Sequence, residues 1–279
     1  MAREPLKNKP LVEAILEVRW ALQAVKAETH LPLGVIPSAI APDGQPIVEI
    51  DPHFRLLLGR VFDRVKAEYP KHEQLPAAYL PDVAAGQVVQ HRLRHPDGWP
   101  IIQLGPGILT VNDTAKYIWS DFQPRALGAF STLHEAHPSV EELQITSLSL
   151  RYIDAVDFDC GKEDITAFLD DKMAVQCRLP DGMFNDSEVE RAPLNCTWRS
   201  TYRCKSPKGR VAIKFATGSR ENKPALIWET VFETAGDDLP GLPDGFEEWL
   251  EAAHEITDEW FFTLIEGGSG ELKRRFSGD

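Results

Sequence analysis

The sequence predicts an α+β protein in which antiparallel sheets are covered by helices, and three observations predict it. Runs of alternating apolar residues follow one another with short turns between them, as antiparallel strands do. Two longer stretches, one early and one near the carboxy terminus, carry apolar residues at helical spacing. Both parts of the chain also share an order of helix, consecutive strands and longer aromatic helix. Two similar α+β halves are therefore expected, at 1–160 and 161–279, able to pack as a single domain.

Residues 11–20, LVEAILEVRW, alternate as a strand does and also satisfy a helical face; the short run after Pro10 favours a strand. Residues 28–50 hold several prolines and glycines and read as a long loop. Phe54, Leu57, Leu58, Val61, Phe62 and Val65 then fall at helical spacing, with Asp51 as N-cap, Pro52 as first helical residue and an end near Tyr69-Pro70. Residues 88–95 and 99–113 read as a hairpin about Pro96-Asp97-Gly98, the second strand interrupted by Gly105-Pro106-Gly107. Asn112, Asp113 or Thr114 caps a helix carrying Tyr117 and Phe122, and Pro124 starts or kinks a further helical stretch. A long strand at 143–158 closes the first half, its even positions apolar except for Asp154.

A short helix at 164–173 opens the second half, followed by a polar loop, DGMFNDSEVER. Strands at about 193–205, 210–217 and 225–235 form a meander. A long aromatic helix from Phe246 through Leu264 stops at Gly267-Gly268 and must pack on the sheet.

A chain of 279 residues buries a core without disulfides or metals, and its 43% hydrophobic and 26% charged content is that of a globular protein. The amino terminus lacks the apolar run of a signal peptide, and no apolar stretch approaches the ~20 residues of a membrane helix. Cys160, Cys177, Cys196 and Cys204 show no C-x-x-C pairing and read as reduced core thiols. A cytoplasmic protein with no membrane partner is expected.

Few motifs carry chemistry. Gly105-Pro106-Gly107 is not a phosphate cradle, because proline removes a donor, a strand follows and no G-K-[ST] appears; a bulge or tight bend is the better reading. His134 and His137 miss the H-E-x-x-H spacing, and His91 and His95, or Glu13 and Glu17, lie ~13 Å apart on a strand. No cofactor motif and no Ser/His/Asp set appears. Asp154, Asp157 and Asp159 form a carboxylate cluster that, with a glutamate from elsewhere, can hold Mg²⁺ for a metal-dependent nuclease or phosphotransferase. A small-ligand sensor, in which the aromatic carboxy-terminal helix grips the sheet around a cavity near Trp249 or Trp260, is a further alternative.

The main functional signal is electrostatic. A net charge of −13 disfavours general attraction to phosphate backbones, yet residues 191–223 hold nine Lys or Arg against one acid. Arg199, Arg203 and Lys205 share one face of the first meander strand, and Arg210 and Lys214 can join them from the next. This basic sheet face suits an anionic partner, a nucleic acid or a protein. The competing role is internal neutralisation, since Glu229 and Glu233 have the phase to lie opposite these cations and residues 224–279 carry fourteen acids against three bases.

Three stretches, PLVEAILEVRW, IIQLGPGILTVNDTAKYIWSDF and SLSLRYIDAVDF, resemble a sporadically distributed family of bacterial proteins with no assigned activity. The resemblance implies an amino-terminal strand, transfers no catalytic residue and, through the patchy distribution, implies a defence or toxin-control setting. A non-enzymatic binding or regulatory protein is the leading expectation.

Overall fold

The computed structural model describes residues 6–26, 37–42, 44–80, 86–114, 116–185 and 188–278, and is α+β. Twelve described strands run β1 (Leu11–Trp20), β2 (Gln23–Lys26), β3 (Ala39–Ile40), β4 (Pro46–Ile50), β5 (Lys71–Gln74), β6 (His91–Arg94), β7 (Ile101–Gly105), β8 (Ile108–Asp113), β9 (Ile145–Asp157), β10 (Thr197–Lys205), β11 (Lys208–Arg220) and β12 (Lys223–Ala235). The helices are α1 (Phe54–Val65), α2 (Trp119–Ala136), α3 (Ile165–Met173), α4 (Phe246–Glu266) and α5 (Glu271–Ser277). Nine strands form one sheet in the order β10-β11-β12-β9-β1-β8-β7-β6-β5, and β2-β4-β3 form a small second sheet.

The chain divides into two compact units that interleave along the sequence. One comprises Met1–Ala14, Arg151–Phe232 and Trp249–Asp279; the other comprises Ile15–Leu150 and Glu233–Glu248.

In the unit built on Ile15–Leu150, β1 is a strand, as expected, with Leu16, Val18 and Trp20 buried on alternate positions. The expected loop at 28–50 contains β3 and β4, which pair with each other, while β4 also pairs with β2; residues 28–36 and 43 of that span lie outside the described residues. Proline and glycine there mark short strand ends rather than continuous loop. Helix α1 starts at Phe54, with His53 rather than Asp51 at its N-cap; Asp51 Oδ1 accepts from His53 N (3.0 Å) in the turn before the helix, while its Oδ2 accepts from Trp20 Nε1 (2.9 Å) and Gly107 N (3.2 Å).

Gly105-Pro106-Gly107 is neither bulge nor bend but the tip of a separate β7–β8 hairpin, with Gly105 opposite Ile108. Proline presets the first turn position, and Gly107 takes φ 71°, which only glycine adopts cheaply. A Cβ there would sit 2.8 Å from Leu22 Cδ2 and 3.0 Å from Gln87 Cγ. Helix α2 is one continuous helix through Pro124, and the carbonyl that loses its partner there belongs to Ser120, which is exposed to water. It packs on α1 and β8, and Phe130 stacks on Phe246 at 3.8 Å.

In the other unit, β10, β11 and β12 form the expected meander; of the loop before it, residues 186–187 lie outside the described residues. One face is apolar and covered: Phe215, Trp228 and Val156 pack with Leu169 of α3, Ile265 of α4 and Phe276 of α5. Each such large side chain contributes about 1.5–3 kcal/mol on burial. Asp164 caps α3 by accepting from Thr166 N at 2.8 Å. Helix α4 ends at the expected glycines, and α5, unforeseen, follows them. A Cβ on Gly268 would lie 1.9 Å from Asp171 O and its φ is 58°, so glycine is required where the chain crosses the end of α3.

Candidate functional site

The β10–β11 hairpin carries the densest charge of one sign. Alternation divides β10 into two faces. Trp198 lies against Phe215 (ring centroids 5.7 Å) and Tyr202 meets Trp260 edge-on (5.7 Å), while Arg199, Arg203 and Lys205 project from the opposite face. The pairing register then sets Arg199 opposite Lys214, Arg203 opposite Arg210 and Lys205 opposite Lys208. All five candidate cations from the sequence are thus brought onto one surface, with Lys208 added. Directly opposed residues have Cβ atoms only about 4.5–5.5 Å apart, a spacing at which like charges destabilise a sheet. Arg199, Arg203, Lys205 and Arg210 are exposed and Lys214 is half-buried. Ala212, between Arg210 and Lys214, is 8% exposed, as long aliphatic stems beside it would leave it.

The expected acidic counterweight, Glu229 and Glu233, lies on β12 in phase with these cations. Glu221 and Asn222, at φ 51° and 64°, form the two-residue turn between β11 and β12, so Arg220 faces Lys223 and Lys214 faces Glu229. Glu229 also pairs with Arg151 of β9 at 3.1 Å and so is shared between two cations. The β10 cations, one strand further out, face only cations across the hairpin.

The three aspartates of the candidate metal cluster are not brought together. Asp154 is 3% exposed on the covered face of β9, where burial pushes its carboxyl up to about 8. Asp157 is on the opposite face, exposed and 3.9 Å from Arg275 Nη2. Asp159 lies past the strand end, where Lys162 (3.0 Å) and the Gly161 amide (2.9 Å) hold its carboxyl below the usual range. Among the described residues no group of three or more His, Cys, Asp or Glu is placed to hold a metal ion.

Neither of the histidine pairs weighed in the sequence is among those that meet: His53 and His137 are edge to face at 5.2 Å, and a second pair lies closer. His72 Nε2 and His91 Nδ1 are 2.9 Å apart across β5 and β6, and burial with the His72 charge lowers His91. Cross-strand neighbours separated by nineteen positions leave no spacing motif to read. Tyr152 OH meets His254 Nδ1 at 3.0 Å, and burial depresses His254 to about 4. The four cysteines are free and half-buried, and burial first of all raises the thiols of Cys160, Cys177 and Cys196. Protonated thiols are poor nucleophiles, so burial works against thiolate chemistry at these three.

Trp249 is buried against Phe232 (6.3 Å) and Trp260 is half-buried beside Tyr202. No described helix is long and apolar enough to cross a membrane. Comparison with protein-family models, with curated proteins and with solved structures finds no match to this chain.

Proposed function

We propose that this chain is a binding or regulatory protein that works by macromolecular contact, with the cationic face of the β10–β11 hairpin as the surface that receives an anionic partner. One observation carries the reading: three rows of the hairpin set cation directly against cation. A sheet decorated for its own stability alternates sign across such rows. Like charges directly opposite one another across a ladder repel, and an anion bound over the rows turns that repulsion into attraction. The face carries no aromatic side chain, so its recognition is of charge rather than of stacked bases.

The test is binding of the purified chain to a polyanion panel, namely single- and double-stranded RNA and DNA and polyglutamate, across a salt series. Arg199→Glu, Arg203→Glu, Lys214→Glu in one chain is the comparison. Salt-sensitive binding that disappears in the still-folded variant is the expected result. A wild-type chain that takes up no polyanion at low salt would overturn the proposal.

A further inference from the structure

We infer that the partner is an extended acidic polypeptide segment, which adds to the outer edge of β10 as a tenth strand. The inference rests on the proposed contact surface and names what that surface receives.

Strand β10 is the terminal strand of the nine-stranded sheet, nine residues long and exposed at most positions. An edge of this length presents a row of backbone donors and acceptors to whatever lies beside it. The direction those groups face is fixed twice over. Thr217 N donates to Cys196 O at 3.0 Å, directly in line with the Thr197–Ala216 pairing. Hydrogen-bonded and non-hydrogen-bonded pairs alternate along an antiparallel ladder, so the even positions of β10 turn their backbone groups toward β11 and the odd positions turn theirs outward. The two-residue turn at Glu221-Asn222 makes Arg220 and Lys223 a hydrogen-bonded pair, which commits the even residues of β11 to β12 and the odd ones to β10. Both routes agree.

The outward-facing backbone therefore belongs to Arg199, Thr201, Arg203 and Lys205, and three of these four carry the cations. A strand pairing at this edge hydrogen-bonds at those residues and places its own side chains beside Arg199, Arg203 and Lys205, on the cationic face. Its intervening side chains fall on the opposite face, beside Trp198 and Tyr202, of which Tyr202 is 50% exposed. The complementary segment is thus acidic on one side and apolar on the other. For antiparallel addition across 199–205 it reads acid-apolar-acid-apolar-polar-apolar-acid and spans about 20 Å. A second copy of β10 does not meet this demand, since antiparallel self-pairing would set arginine and lysine against their own kind. Nucleic acid satisfies the charges and leaves the edge donors and acceptors without a strand partner.

The probe is the peptide Glu-Val-Glu-Val-Thr-Val-Glu with blocked ends, measured by fluorescence anisotropy against the full chain. Three comparisons accompany it: the same peptide N-methylated at the residues that hydrogen-bond the edge, a Lys-for-Glu peptide, and the protein variant Thr201→Pro. Proline at 201 removes an outward N–H while leaving every cation and the β10–β11 ladder in place. The expected result is binding to the wild type, weakened roughly tenfold or more by N-methylation and by Thr201→Pro, and absent for the lysine peptide. Should Thr201→Pro unfold by circular dichroism, the N-methylated peptide decides alone. Binding indifferent to N-methylation would overturn strand addition while leaving the cationic surface standing. Failure of the peptide alongside tight nucleic-acid binding would overturn the choice of partner, and failure of peptide and polyanions alike would overturn the surface itself.

Discussion

Asp154, buried, and His254, half-buried, are ionisable groups whose neutral forms the fold favours, both within the unit that also holds β10 and β11. A carboxyl raised to about 8 keeps its proton when folded, whereas in the unfolded chain it ionises near ~3.9. The folded state then binds the extra proton, so stability is full below pH ~4 and falls by about 1.4 kcal/mol per unit until pH 8. His254 works the other way: depressed to about 4, it supplies stability present above its unfolded pKa of ~6.5 and lost as pH falls toward 4. The two slopes oppose each other between pH ~4 and ~6.5 and leave the Asp154 decline alone above that. Asp154→Asn is expected to abolish the fall between pH 6.5 and 8 in urea unfolding and to gain a few kcal/mol at pH 8; an unchanged profile would mean that Asp154 is already ionised in the fold. Its burial was legible, since it interrupts an otherwise apolar alternation at Leu148, Leu150, Tyr152, Val156 and Phe158. Grouping it by sequence distance with Asp157 and Asp159 hid this, because alternate strand positions face opposite ways.

At the scale of elements, the strongly periodic segments β1, β9, α3, α4 and the meander were readable, because each buries one face and the pattern records it. Contacts between distant segments were not. Asp51 reads as an N-cap, yet its carboxylate ties the start of α1 to the end of β1 and to the β7–β8 turn. Nothing within a few residues of Asp51 announces Trp20 or Gly107. Asp51→Ala strands the Trp20 and Gly107 donors, and a cost of about 2–4 kcal/mol follows, since hydrogen bonds to a charged acceptor contribute ~1.5–3 kcal/mol each. Denaturant midpoints of this variant and of Asp51→Asn, which keeps one acceptor oxygen, measure it; the asparagine variant should lose less. The cationic residues of the hairpin were likewise legible as a set, but their opposition in like-charged rows depends on the turn at Ser206-Pro207 and its register, which composition does not encode.

Across the molecule, a chain of net charge −13 places seven of its thirty Lys and Arg, and no acid, in one hairpin, so long-range repulsion of polyanions and short-range attraction compete at its surface. That separation was visible in the sequence because charge is additive along it. The interleaving of the two units was not, for it depends on which distant segments meet: the first residues return to the last, with Asn8 N donating to Phe276 O at 2.9 Å.

Gly268 governs that meeting. The absent side chain lets the backbone lie against the end of α3, where Ser269 N donates to Asp171 O at 2.7 Å, and from there α5 delivers Leu272 and Phe276 to the core. One added methyl, as in Gly268→Ala, has no room to be absorbed and must lift the last dozen residues together. The lifted segment carries Lys273, Arg274 and Arg275. Trypsin under native conditions should therefore clip the variant there long before it touches the wild type, converting a fault in packing into a cleavage clock for the knot that joins the two ends of the chain.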